Sequence, residues 1–389
     1  MRRYVVLFAL IFTVLSAEAQ RSPFINAQYL GGGIMPHREG MEALKNKSVN
    51  GLELEMGLQL HGNDDWHVAY NYPLTGFGLH YANLGYKDVL GYAAGFYGFI
   101  EVPLLRGSDF ELMYRLTSGL TYVSEVFSVE DNPQNVAVST HANYLFHTGL
   151  RARYWMSPKT ALGLGAGLTH YSNGAINTPN KGLNQVNLIM GITHYLKGEY
   201  NPYEGMRRPV VYGEEHEFFL LAVGGWTDIS KSYNSLPADH PRQDEGTNQT
   251  YATGGITLGY NFRYAAQRKV GLTLDAFANE AFNWTWYDWQ ENYFYDKGYG
   301  LWDLTRMGIG INHEFFMKRL SIVIAWGVYT KRLDEEVNNN KSREWMYERL
   351  GFRYYFIKNA FLNVSVKAYG FKAETVEFGV GFSLNNMYK

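Results

Sequence analysis

A chain of 389 residues with 31 Tyr, 41 Gly and 9 Trp, yet only 19% charged residues, is unusual for a soluble protein, and 35 Lys+Arg against 37 Asp+Glu leave a formal charge of -2. That balance argues against nucleic acid as the main partner, because such binding needs a basic surface. The absence of cysteine excludes a disulfide scaffold, Cys-ligated zinc or iron–sulfur sites, a thiol nucleophile and an N-terminal lipidated Cys, and a mean hydropathy of -0.28 excludes a helical membrane bundle.

Arg2 and Arg3 precede an apolar run from Tyr4 to Leu15, followed by Ser16, Ala17, Glu18 and Ala19. A charged start, a short apolar stretch and an A-x-A site predict a signal peptide over 1–19, cleaved near Ala19. The run is too short for a spanning helix, which needs about 20 apolar residues.

Beyond residue 20 the dominant signal has period 2. Leu162, Leu164, Ala166 and Leu168 alternate with Gly163, Gly165, Gly167 and Thr169; Val186, Leu188, Met190 and Ile192 alternate with Gln185, Asn187, Ile189 and Gly191. Val376, Phe378, Val380, Phe382 and Leu384 alternate with Glu377, Gly379, Gly381 and Ser383. Such segments exceed the five or six residues typical of soluble strands. They fit tilted strands with one face to lipid and the other to a lumen. The first eight are expected near 24–34, 50–60, 66–81, 89–102, 108–125, 139–156, 160–172 and 184–197. The second eight are expected near 215–227, 250–264, 268–281, 302–315, 318–331, 345–357, 359–370 and 373–386.

Connections after even-numbered strands are mostly tight, as at Gly62-Asn63 and Ser157-Pro158-Lys159, and those after odd-numbered strands are mostly long and polar. This asymmetry marks an outer-membrane barrel. The expected fold is therefore an all-β transmembrane antiparallel barrel of about 14–16 strands, with two eight-stranded barrels as the alternative. The long break at 199–213 separates a first unit, 20–198, from a second, 214–389. One continuous barrel is the favoured form, and pairing of 24–34 with 184–197 would decide for two. Aromatics at Trp284, Trp286, Tyr287, Trp289, Tyr293, Phe294 and Tyr295 predict an interfacial girdle. Glu101, Glu111, Arg115, Arg151 and Arg153 are expected to form ion pairs in the lumen.

The lipid face of the seventh strand turns polar at its outer end, at His170 and Ser172. Residues i and i+2 share a strand face, and polar groups facing lipid are costly unless partnered. Asn184 opens the next strand on the same face, so the three side chains are expected to converge. A Ser near a His oriented by a third polar group has the logic of an activated nucleophile.

The segment His170-Tyr-Ser-Asn-Gly-Ala-Ile-Asn-Thr-Pro-Asn-Lys-Gly-Leu-Asn184 resembles the lipid A 3-O-deacylases (PagL-type, acyloxyacyl hydrolase-like outer-membrane enzymes). The shared motif is His-x-Ser-Asn followed by Pro179-Asn180-x-Gly182, and the resemblance covers roughly residues 45–198. It implies Ser172 as nucleophile, His170 as general base, and Asn173 and Asn180 around the oxyanion; in the mechanism this suggests, donors near Gly174 are expected to join them. It also implies lipid A or lipopolysaccharide of the outer leaflet as substrate; the chemistry itself needs no metal or cofactor, and the sequence shows no cluster with ligand spacing. The family's triad ends in Glu where this chain has Asn184. A channel, or a structural barrel with a degenerate site, are the rival readings. The second unit carries no His-x-Ser motif and receives no function. Oligomeric state is left open.

Overall fold

The computed structural model describes residues 21–387 apart from 39, 45–47, 63, 129, 198–209, 211, 214, 229–249, 287–293, 297, 334–344 and 371. The expected signal peptide and most of the 199–213 connector lie outside the described residues. No helix of the described residues is long and apolar enough to cross a membrane.

The strands are β1 (Arg21–Ile34), β2 (Ser48–Leu60), β3 (Leu74–Asn83), β4 (Tyr92–Arg106), β5 (Phe110–Val123), β6 (Ala142–Ser157), β7 (Thr160–Ser172) and β8 (Leu183–Tyr195). They form one closed antiparallel barrel. A second closed barrel comprises β9 (Glu215–Asp228), β10 (Thr250–Ala265), β11 (Arg268–Asn279) and, beyond a short hairpin of β12 (Trp284–Trp286) and β13 (Phe294–Asp296), five more strands. These are β14 (Thr305–Met317), β15 (Leu320–Lys331), β16 (Met346–Ile357), β17 (Ala360–Tyr369) and β18 (Lys372–Met387).

Two barrels replace the favoured single one. β1 pairs with β8, from Phe24↔Tyr195 to Ile34↔Gln185, and β18 pairs with β9. Glycine permits both closures. A Cβ on Gly32 would stand 2.0 Å from the Val186 carbonyl oxygen across the β1–β8 junction, and one on Gly225 would stand 2.1 Å from the Val376 oxygen across β9–β18. The same close approach recurs at interior junctions, where a Cβ on Gly76 or Gly119 would stand 2.2 Å from the facing carbonyl oxygen, so it belongs to the whole barrel wall and not to its closure alone. The expected strand at 66–81 is also corrected. A short helix, α1 (Asp65–Ala69), occupies its start, and β3 begins only at Leu74.

The alternation holds in three dimensions. On β7, Leu162, Leu164 and Leu168 are exposed on the outer face, and Ala161 and Thr169 are buried inside. An eight-stranded barrel is only wide enough for its own side chains, and here they fill it. Arg115 bonds Glu101 at 2.7 Å and also Glu55, Arg151 bonds Glu101 at 2.9 Å, and Arg153 bonds Glu111. The expected lumen ion pairs are thus present. In the second barrel Arg349 bridges Asp275 and Glu377 at 3.0 and 2.9 Å. Lys269 bonds Glu217 at 3.0 Å. Buried charges need such partners, because each ion taken from water alone costs several kcal/mol. Among the described residues, ion pairs cross the interior of both barrels. The girdle expected at 284–295 falls on the β12–β13 hairpin and on side chains outside the described residues.

Candidate functional site

The site lies at the long-loop end of the first barrel, where β7 and β8 meet. The β7–β8 register sets His170 directly opposite Asn184, and the β6–β7 register sets Tyr144 opposite Ser172 and Phe146 opposite His170. Tyr171, between the two polar residues, points inward. Its hydroxyl meets His80 Nε2 at 2.8 Å, and His80 Nδ1 meets Glu53 at 2.8 Å. The same strand therefore anchors itself in the packed lumen through Tyr171 and presents His170 and Ser172 on its lipid face.

His170 Nδ1 lies 2.5 Å from Asn184 Oδ1. An amide oxygen only accepts, so Nδ1 carries the proton and Nε2 is left with its lone pair. Gly182 makes room for this imidazole. Its φ is +76°, and a Cβ there would stand 2.6 Å from His170 Cε1.

Ser172 is buried although its face is the lipid face, because the 173–182 loop folds over it. Two N–H donors converge on its Oγ: the Gly174 backbone at 3.0 Å and Asn180 Nδ2 at 2.9 Å. Asn180 is itself oriented, since its Oδ1 accepts the Asn173 backbone N–H at 3.3 Å. The Asn173 side chain serves the loop. Its Nδ2 donates to Ser139 Oγ and the Asn177 carbonyl, and its Oδ1 accepts from the Ala175 backbone. Strand neighbours i and i+2 such as His170 and Ser172 are ~6.6 Å apart along the chain, and a serine hydroxyl spans part of that by turning about χ1.

All the expected site residues thus fall within one loop and two strand ends. Others were not foreseen. His37 and Arg38, from the loop after β1, lie close enough for their charge to act on His170. The Lys181 backbone bonds His37. Burial lowers the His37 pKa below the ordinary imidazole value, against the opposing effect of backbone hydrogen bonds to Met35 and Lys181. Arg38 also has its pKa lowered by burial. Asp228, the last residue of β9 in the second barrel, reaches the 173–182 loop as well. The even-numbered outer face of β9, with Trp226 exposed and then Asp228, carries the same apolar-to-polar switch that pointed to His170. No group of His, Asp and Glu among the described residues has the arrangement of a metal site.

A closed transmembrane barrel with a serine, an oriented histidine and two converging donors on its lipid face defines a class: barrel enzymes of the outer membrane that act on lipid. The family comparisons make this particular. Residues 50–193 match the model "Lipid A 3-O-deacylase (PagL)", and residues 217–386 match "Acyloxyacyl hydrolase, C-terminal domain". The chain belongs to the PagL family of lipid A deacylases of the outer membrane. None of the curated proteins compared matches it. Among solved structures, the outer-membrane enzyme PagL aligns at 14% identity with a TM-score of 0.29, covering 43% of this chain and 97% of that one. The toluene transporter TodX of Pseudomonas putida aligns at 8% identity with a TM-score of 0.16, covering 96% and 90%. A Rh. blastica porin mutant aligns at 9% and 0.18, covering 94% and 100%. Alignments this weak carry no argument, and the family models stand on their own.

Proposed function

We propose that the chain hydrolyses the 3-O-linked acyl ester of lipid A, with Ser172 as nucleophile and His170 as general base. The observation that carries this reading is the position of Ser172 Oγ. It lies on the lipid face, two residues along the same strand face from an imidazole held by Asn184, and accepts from two N–H donors at 3.0 and 2.9 Å. His170 Nε2 takes the hydroxyl proton as Oγ attacks the ester carbonyl. The carbonyl oxygen becomes an oxyanion within reach of Gly174 N–H and Asn180 Nδ2. Collapse expels the sugar hydroxyl, which receives the proton from His170. Water, deprotonated by the same imidazole, then releases the fatty acid from Ser172.

The setting supports the substrate. Exposed Leu164, Leu168, Val186 and Leu188 flank the site on β7 and β8, as suits an acyl chain standing beside the barrel wall. Arg38 and Lys181 bring positive charge to the same end, as suits an anionic glycolipid headgroup.

Asn184 in the place of a carboxylate alters one thing. It fixes the tautomer and orientation of His170 through Oδ1 but brings no negative charge to the imidazolium. A Ser-His-Asn arrangement parallels the Cys-His-Asn one in orienting the imidazole.

A long-chain alkyl phosphonate ester tests the nucleophile. The expected result is one adduct, found by peptide mass mapping on Ser172 and absent from Ser172→Ala. An adduct on another serine would assign the chemistry elsewhere.

A further inference from the structure

The second barrel has no His-x-Ser motif, yet it touches the site. Phe218, Leu220 and Trp226 are exposed on the outer face of β9. Two residues past Trp226 on that same face comes Asp228, a carboxylate only 2% exposed. A carboxylate on a lipid-facing surface is costly unless it is hydrogen-bonded. Asp228 Oδ2 accepts the Thr178 backbone N–H at 2.8 Å and the Thr178 hydroxyl at 2.9 Å. Its own backbone N–H donates to the Ala175 carbonyl at 3.2 Å. On neighbouring β18, Val376 packs against Gly174 so closely that a Cβ there would stand 2.1 Å from Val376 Cγ2.

The Asp228 contacts lie between the two donors to Ser172. Ala175 follows Gly174, whose N–H points at Oγ, and Thr178 stands two residues before Asn180, whose Nδ2 points at the same oxygen. One residue of the second barrel therefore holds the loop at two points between the oxyanion donors. At the opposite end the barrels also meet, where Gln267 Nε2 donates to the Ala69 carbonyl at 3.2 Å and Lys318 pairs with Asp64 at 3.2 Å. The second barrel is thus seated against the first along the side that carries the site.

We infer that the second barrel is a built-in brace of the active-site loop, and that Asp228 is a positioning residue for the oxyanion donors. The inference rests on the deacylase reading. Because removing a donor outright costs about 10²–10³ in kcat, releasing the loop that aims both donors is expected to cost about 10–100-fold.

The test uses the full chain, refolded in detergent and assayed on lipid A, with active sites counted by the extent of phosphonate labelling. Asp228→Ala is expected to lower kcat per labelled site 10- to 100-fold with KM changed less than about threefold. Thr178→Val, which removes one of the two bonds, should cost less. Asp228→Asn keeps an oxygen acceptor for Thr178 and should recover most of the rate. A merely structural role would lower the number of labelled sites and leave the rate per site unchanged, and that result overturns the inference. So does an Asp228→Asn variant as impaired as Asp228→Ala, which would place the effect in the charge. If Ser172→Ala remains active, the deacylase reading itself falls; if Ser172→Ala is dead and Asp228→Ala turns over normally, only the brace falls.

Discussion

Replacing His170 by Ala is expected to lower turnover of lipid A by about 10⁴–10⁶-fold, the range for losing the base from a serine–histidine pair. The proposed mechanism hands the Ser172 proton to Nε2 alone, so its loss removes the base of both half-reactions. The oxyanion donors remain, so a residual rate above that in water should persist. KM should change little, because the imidazole contributes to the reaction more than to holding the acyl chains. The loop should stay folded, since its hydrogen bonds run through Asn173, Asn177 and Asp228 and none of these uses the imidazole. A rate within tenfold of the parent would place the base elsewhere.

The second large effect comes from a residue that touches no substrate. Gly182→Ala places a methyl group 2.6 Å from His170 Cε1, on a backbone at φ +76°. An L-residue in the left-handed region costs roughly 1–2 kcal/mol, which a barrel tolerates. The steric term is the more damaging one. Backbone cannot yield easily at the mouth of β8, so the imidazole must move off Asn184, and a displacement of ~1 Å costs about 10²-fold. Gly370→Ala is the matched control. Gly370 has φ +53° with nothing within 4 Å of a Cβ, so it bears the same backbone penalty without touching the site. Gly182→Ala is expected to lose about 100-fold in kcat and Gly370→Ala to match the parent. Equal losses in both would assign the effect to general destabilisation.

Much of this was legible in the chain, for physical reasons that also mark where legibility ended. Period-2 alternation reports which face of a strand each residue takes, and it placed His170, Ser172 and Asn184 on one face at adjacent strand ends. The register then had little freedom, because a tight turn at Ser157–Lys159 and the alternation of β8 allow few pairings. Alternation does not report which strands pair at a closing junction. β1 is separated from both β8 and β18 by long stretches of chain, and either partner satisfies the same pattern. Glycine does not report it either, because Gly32 and Gly225 meet the facing backbone about as closely as Gly76 and Gly119 do at interior junctions. The helix α1 escaped because Trp66 and His67 continue an apolar-polar alternation into what is a single helical turn. Asp228 escaped for a different reason. The rule that found His170, a polar residue where the lipid face should be apolar, applies equally to Asp228 after Trp226. The contact that explains it lies across two barrels, beyond any local pattern.

The resemblance and the structure meet at Asn180 and Gly182. The motif marks both positions, and the structure gives a physical reason for each. Asn180 donates to Ser172, and Gly182 clears space for His170. Asn173 is the other motif residue, and its side chain holds the loop together through Ser139 and Asn177.

The central claim is that Ser172 cleaves an acyl ester of lipid A, and the most direct measurement is the mass spectrum of that lipid. Outer-membrane vesicles incubated with the purified full chain should yield lipid A lighter by one ester-linked acyl group, with the released fatty acid in equal amount. Vesicles incubated with Ser172→Ala should yield lipid A of unchanged mass. An identical loss with both proteins, or no loss with either, would contradict the account.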